Sequence, residues 1–136
     1  MADEPLIVLD THALLWWVSG SKRLSAKARR AIRAATARAP AAASTISVLE
    51  IATAVRRGRL ELAAPLESWL ADLVLLPELR FEPVSVEIAR RAGIFGDSMP
   101  GDPADRIIAA TAMALHARLV TADEALRRIA EVRAVW

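Results

Sequence analysis

Leu6-Ile7-Val8-Leu9-Asp10-Thr11-His12-Ala13-Leu14-Leu15-Trp16-Trp17 joins an apolar run to an acid and then to a helical pattern. Four consecutive apolar residues suit a strand buried on both faces, and the run ends on an acid. Thr11 to Val18 reads as a short helix, with Leu14, Leu15, Trp16 and Trp17 on its apolar side and Ser19-Gly20-Ser21 breaking it. A buried strand running directly into a helix is the start of an α/β chain, and the rest continues in that style.

Ser25 can cap a helix over Ala26–Ala37, whose arginines face mostly outward. Ala41–Thr45 reads as a second strand. The helix after it, Ser47–Arg57, carries Val48, Ile51, Ala52 and Val55 at helical spacing and stops at Gly58. Pro65 opens a further helix through Leu76. Phe81–Val84 reads as a strand and Val86–Ala92 as a helix ending near Gly93. Asp102 suits an N-cap and Pro103 a first helical position, so the next helix runs to about Ala117. Leu119–Thr121 reads as a strand, Asp123–Ile129 as a short helix and Val132–Val135 as a last strand. Alternating strands and helices predict a three-layer α/β sandwich: a mostly parallel sheet of four to five strands with helices on both faces. Neither a repeat nor a low-complexity linker interrupts it, so residues 1–136 read as one domain.

Composition narrows the function. The chain has 136 residues, 54% of them apolar and 25% charged, a balance that supports a packed core rather than disorder. It has no cysteine, which excludes disulfides and thiolate metal sites and fits a reducing compartment. Met1–Pro5 carries Asp3 and Glu4 where an export signal would be basic, and no apolar run is long enough to span a bilayer. The expectation is a cytoplasmic protein without a membrane partner. Of the 18 cations only Lys22 and Lys27 are lysine. Arginine forks suit phosphate, although a GC-rich genome also produces such a bias.

In open α/β sheets, ligands bind beyond the carboxyl ends of the strands. Asp10 ends the first strand, and Asp123 lies just beyond a late one. Glu50 sits about one turn into the helix after the second strand, and Asp105 in the first turn of another. Each acid has an ordinary alternative: Asp10 and Asp123 as helix caps, Glu50 as a solvated helix position, Asp105 as a carboxylate favoured by the helix dipole. As a set they could converge on one sheet edge, where clustered carboxylates are relieved by a divalent cation. An all-oxygen set favours magnesium or manganese over zinc.

Four motifs carry a resemblance. Leu9-Asp10-Thr11-His12-Ala13-Leu14-Leu15-Trp16-Trp17 resembles the opening motif of PIN domains, and especially of the VapC toxins of bacterial toxin–antitoxin pairs. Ser47-Val48-Leu49-Glu50-Ile51-Ala52 is similar to their second motif, Gly101-Asp102-Pro103-Ala104-Asp105-Arg106-Ile107-Ile108-Ala109-Ala110-Thr111-Ala112 to the third, and Leu119-Val120-Thr121-Ala122-Asp123 to the fourth. All four stand in the family's order along nearly the whole chain. The resemblance implies a PIN fold, a magnesium- or manganese-dependent endoribonuclease, a homodimer, and a cognate antitoxin that blocks the site.

The expected metal ligands are therefore Asp10, Glu50, Asp105 and Asp123, with Asp123 holding a second metal or a water. In the third motif Asp105 is the preferred ligand and Asp102 the helix cap, the alternative being that Asp102 reaches the same metal. Such a site cleaves RNA phosphodiesters through metal-activated water. Thr11 and Thr121 could hydrogen-bond the carboxylates or the water, and Ser47 could hold the helix start or a phosphate oxygen. Arg106, Arg56, Arg57 and Arg59 are the first candidates for RNA phosphates. His12 reads as packing or support beside the site, and His116 as a residue favoured by a helix C-terminus; without a histidine pair, metal-free acid–base cleavage is disfavoured. Trp16, Trp17 and Trp69 read as core or dimer contacts.

Competing α/β enzymes fit less well. A haloacid-dehalogenase-like phosphatase wants a second aspartate where His12 stands, and a receiver domain wants a lysine on a late strand, where none occurs. A PIN nuclease of RNA processing or decay and an inactive binding module are the remaining alternatives. The RNA target is not written in scattered arginines.

Overall fold

The computed structural model describes residues 6–136; the acidic opening Met1–Pro5, read above as unlike an export signal, lies outside them. All three residues of β1 (Ile7–Leu9) are buried, and the pleat sends them alternately to two cores. Ile7 and Leu9 join Ala41, Ala43 and Val120 on one face, while Val8 joins Ala42 and Leu119 on the other. The strand is apolar throughout because both faces are covered.

Around it the chain runs α1 (Thr11–Ser19), α2 (Ala26–Thr36), β2 (Ala41–Ser44), α3 (Thr45–Arg56), α4 (Leu66–Val74), β3 (Leu79–Glu82), α5 (Val86–Ile94), α6 (Pro103–Ala114), β4 (Arg118–Val120), α7 (Glu124–Arg127) and β5 (Ala134–Val135). The five strands form one parallel sheet in the order β3-β2-β1-β4-β5. Helices α1, α2 and α4 cover one face through Leu14, Ile32 and Leu73. Helices α6 and α7 cover the other through Ile108, Ala112 and Leu126, with α5 outside α6. The expected three-layer α/β sandwich is the observed one. Trp16, Trp17 and Trp69 pack, partly buried, against the first core.

Local chemistry moves several boundaries. β3 begins at Leu79, which is buried and pairs with Ala41, and ends before Pro83 instead of spanning Phe81–Val84. Proline has no N–H for the ladder, so it closes the strand. Helix α3 starts at Thr45 rather than Ser47, because Ser44 at the end of β2 accepts the Ile46 N–H at 3.1 Å and caps it directly. Helix α6 stops at Ala114, not near Ala117, and His116 takes the left-handed conformation with φ 52°. Helix α7 covers only Glu124–Arg127, and β5 only Ala134–Val135. The stops read at Gly20 and Gly58 are left-handed glycines with φ 68° and 71°, the conformation that favours glycine.

Candidate functional site

The chain lays down β1, β2 and β3 outward in sequence, then returns to place β4 on the far side of β1. The reversal leaves a crevice at the carboxyl ends of β1 and β4. The Asp10 N–H still pairs with the Val120 carbonyl at 3.1 Å, so Asp10 is held at the very end of the ladder. Thr121 is fully buried below the crevice, and its hydroxyl accepts the Asp123 N–H at 3.0 Å.

A cleft of about 990 Å³ opens there, and Asp10, Glu50, Asp102, Asp105 and Asp123 all line it together with Thr11. Three of the aspartates are helix caps as well. Asp10 accepts the Ala13 N–H at 2.8 Å, Asp102 the Ala104 N–H at 3.0 Å, and Asp123 those of Ala125 and Leu126. The capping alternatives weighed from sequence thus hold for Asp10 and Asp123 alongside their place in the cleft. Glu50, on α3, and Asp105, in the first turn of α6, cap nothing.

Electrostatics separate these acids. Burial is the main force raising the Asp10 carboxyl above its ordinary value, with Asp123 adding to it. A hydrogen bond with Thr121, the Ala13 N–H and the nearby His12 act in the opposite sense. Asp105 is pushed up to about 7, first by burial and then by repulsion from Asp102, Asp123, Glu50 and Asp10. Four other carboxylates therefore bear on one group, the situation a cation relieves.

Among the described residues, no three histidine or carboxylate side chains are grouped closely enough to hold a metal ion as they stand. By donor type the set still suits a hard divalent cation, since every acid in the cleft offers only oxygen.

The supporting hydroxyls divide. Thr11 donates to Glu50 Oε1 at 2.5 Å and lies 2.8 Å from the Ser47 hydroxyl. Ser47 is fully buried inside the first turn of α3, so it neither caps the helix nor reaches the cleft; Ser44 caps instead. Of the arginines, Arg59 lines the cleft, whereas Arg56 and Arg57 are exposed at the end of α3 outside it. Arg106 points elsewhere. Its guanidinium donates to the carbonyls of Ala92, Phe95 and Pro100 and lies over the Phe95 ring, so it serves the loop between α5 and α6.

One residue escaped sequence reasoning, and another, His12, was read only as packing or support beside the site. Arg23, on the turn between α1 and α2, lines the cleft but stands in no motif. His12 is exposed in the cleft and stacks on Trp16; its spacing of four residues on α1 was the available signal.

The PIN domain family model matches residues 7–132. The chain is 40% identical over 121 residues to Ribonuclease VapC22 of Mycobacterium tuberculosis (strain ATCC 25618 / H37Rv), a match covering 89% of each. Two solved structures share the fold. One is a toxin–antitoxin complex from Klebsiella pneumoniae, 24% identical with a TM-score of 0.60, covering 93% of this chain and 94% of that one. The other is VapBC2 from Rickettsia felis bound to a promoter DNA fragment, 18% identical with a TM-score of 0.64, covering 95% and 97%. Among the described residues no helix is long and apolar enough to cross a membrane.

Proposed function

Since the chain belongs to the PIN-domain family, homologous to VapC-type ribonucleases, we propose that it is a divalent-metal-dependent endoribonuclease acting as the toxin of a toxin–antitoxin pair. One observation carries the reading: Asp10, Glu50, Asp105 and Asp123 line a single cleft at the carboxyl edge of a parallel sheet. The whole chain then serves as one cytoplasmic PIN domain.

Asp10, Glu50 and Asp105 would hold a magnesium or manganese ion, with Asp123 on a second ion or a water and Asp102 as the alternative third-motif ligand. A divalent cation held there supplies an activated water, a grip on the phosphate and compensation for developing negative charge. Thr11 fixes the rotamer of Glu50 through its hydrogen bond. Thr121 holds Asp10 from below. Asp105 has to release its proton before it can act as a ligand, which its elevated pKa makes a function of pH. Arg59 and Arg23 meet the flanking phosphates, since both line the cleft. Arg56 and Arg57, exposed one helix end away, remain candidates for more distant phosphates.

The antitoxin partner is supported by the toxin–antitoxin complexes among the structural neighbours. The homodimer rests on the resemblance to the family.

Purified protein incubated with total cellular RNA tests the reading, with magnesium or manganese, with EDTA, and with Asp10→Asn. Discrete fragments that disappear with EDTA and in the variant are expected. Identical behaviour of wild type and variant in both metals overturns the carboxylate mechanism.

A further inference from the structure

His12 and Trp16 stand four residues apart on α1 and so share one side of the helix. Their rings stack with centroids 5.5 Å apart at 24°, and Trp16 meets Trp136 at 5.7 Å. Burial is graded along this row. Trp16 and Trp136 pack against the core, whereas His12 is exposed. Both His12 and Trp16 line the cleft that holds the acids. An unsupported surface imidazole rotates freely, but one braced by an anchored indole presents a flat face in a set orientation.

We propose that His12, braced on Trp16, is a stacking platform for an unpaired nucleobase of the RNA beside the cleaved phosphate, an inference that rests on the nuclease reading above. Unpaired bases are recognised by stacking on aromatic rings, histidine included, because every base has a π-face whatever its sequence. His12 follows Asp10 by two residues, so a base on the platform and a phosphate at the acids belong to the same short stretch of strand. Arg23 and Arg59 line the same cleft and suit the phosphates on either side. The contact is tolerant of base identity and demands a single strand. A protein segment is the rival occupant. The base is favoured because the exposed member of the row is a flat ring next to the acids rather than an aliphatic pocket.

The test uses the full chain and a short single-stranded RNA carrying one 2-aminopurine, whose fluorescence is quenched on stacking. Binding is read in EDTA and cleavage in manganese, for wild type, His12→Ala, His12→Gln and His12→Phe. Quenching is expected in wild type and His12→Phe, with affinity about tenfold weaker in the alanine and glutamine variants. In EDTA, His12→Phe should match the affinity of wild type at both pH 6 and pH 8, because a ring is needed and a proton is not. Thermal melts of all four proteins separate this from misfolding and lost packing, and the 2-aminopurine quench reads the base stack itself. If His12→Ala binds and cleaves like wild type, or if only histidine works, the platform is overturned; the first result would leave the ring to a protein partner. A wild type that cleaves without quenching overturns it as well. A wild type that neither binds nor cleaves RNA rejects the nuclease reading itself.

Discussion

The hydroxyl of Ser47 lies 2.8 Å from that of Thr11, and Ser47 is fully buried. Thr11 has one proton, and the Glu50 carboxylate can only accept, so that proton goes to Glu50 and Ser47 must donate to Thr11. The two hydroxyls form a directed chain ending on a site carboxylate, each bond polarising the next.

Thr11→Val keeps the side-chain shape and breaks the chain at its middle. Cleavage should fall by about ten- to hundredfold, the usual consequence of losing an outer partner of a metal ligand. Thr11→Ser should recover most of it. Ser47→Ala should cost stability by about 1 kcal/mol and activity less than Thr11→Val does. Steady-state cleavage and urea unfolding of the three variants check the order; equal rates for Thr11→Val and wild type would deny Thr11 any hold on Glu50.

Asp10 is both a site carboxylate and the cap of α1, and two substitutions pull these roles apart. Asparagine caps as well as aspartate does, while alanine caps poorly. Both variants should lose cleavage. In EDTA at neutral pH, however, Asp10→Asn should melt at or above wild type, since it removes a charge that burial disfavours. Asp10→Ala should be less stable than Asp10→Asn by about 1 kcal/mol. Calorimetry with and without EDTA decides; equal melting of the two variants would show that the cap contributes nothing.

Asp105 fixes a pH dependence. Its carboxyl is raised from 3.8 to about 7 in the fold. A raised carboxyl stabilises the protein fully below its unfolded value, and that contribution is lost as pH rises through the folded one. In EDTA, wild type should therefore melt at falling temperature from pH 4 to 8, while Asp105→Asn should show a flatter profile. The stabilisation given by added manganese should grow over the same window, because ligand and proton compete for one group. A wild-type profile that climbs with pH, or one parallel to that of Asp105→Asn, would contradict the assignment.

Arg106 donates to three carbonyls around the α5–α6 connection, those of Ala92, Phe95 and Pro100. Arg106→Ala should destabilise the fold by roughly 2–3 kcal/mol. Arg106→Lys should recover only part of this, because a point charge cannot match a planar fork. RNA affinity at saturating stability, read well below the melting temperature, should be nearly unchanged. A variant that binds RNA poorly yet unfolds like wild type would return Arg106 to the nucleic-acid surface.

Much of this was readable in the chain. The apolar run before Asp10, the Ser25 cap and the Asp102-Pro103 helix start are local signals, and each appears where its chemistry puts it. The α3 start was misplaced because β2 passes into the helix without a loop, leaving Ser44 to act as strand end and cap together. β3 was shifted because Phe81 and Val84 look like strand residues while Pro83 forbids the pairing. In the site, Asp10 and Asp123 announced themselves by lying after strands, and Glu50 and Asp105 by standing in the opening turns of helices within recognisable motifs. Arg23 could not, since only the folding of the α1–α2 turn over the sheet edge brings it near them. Arg106 misled for the opposite reason: adjacency to Asp105 in sequence puts it on another side of the helix.

The double duty of the aspartates bears on how relatives of this chain can change. A descendant that abandoned nuclease work would still need a capping oxygen at positions 10, 102 and 123, where aspartate, asparagine or serine serves, because each begins a helix that bonds to it. Glu50 and Asp105 enjoy no such protection and would drift first. Those two positions, rather than the full set, are the sensitive markers by which a working nuclease can be told from a retired one.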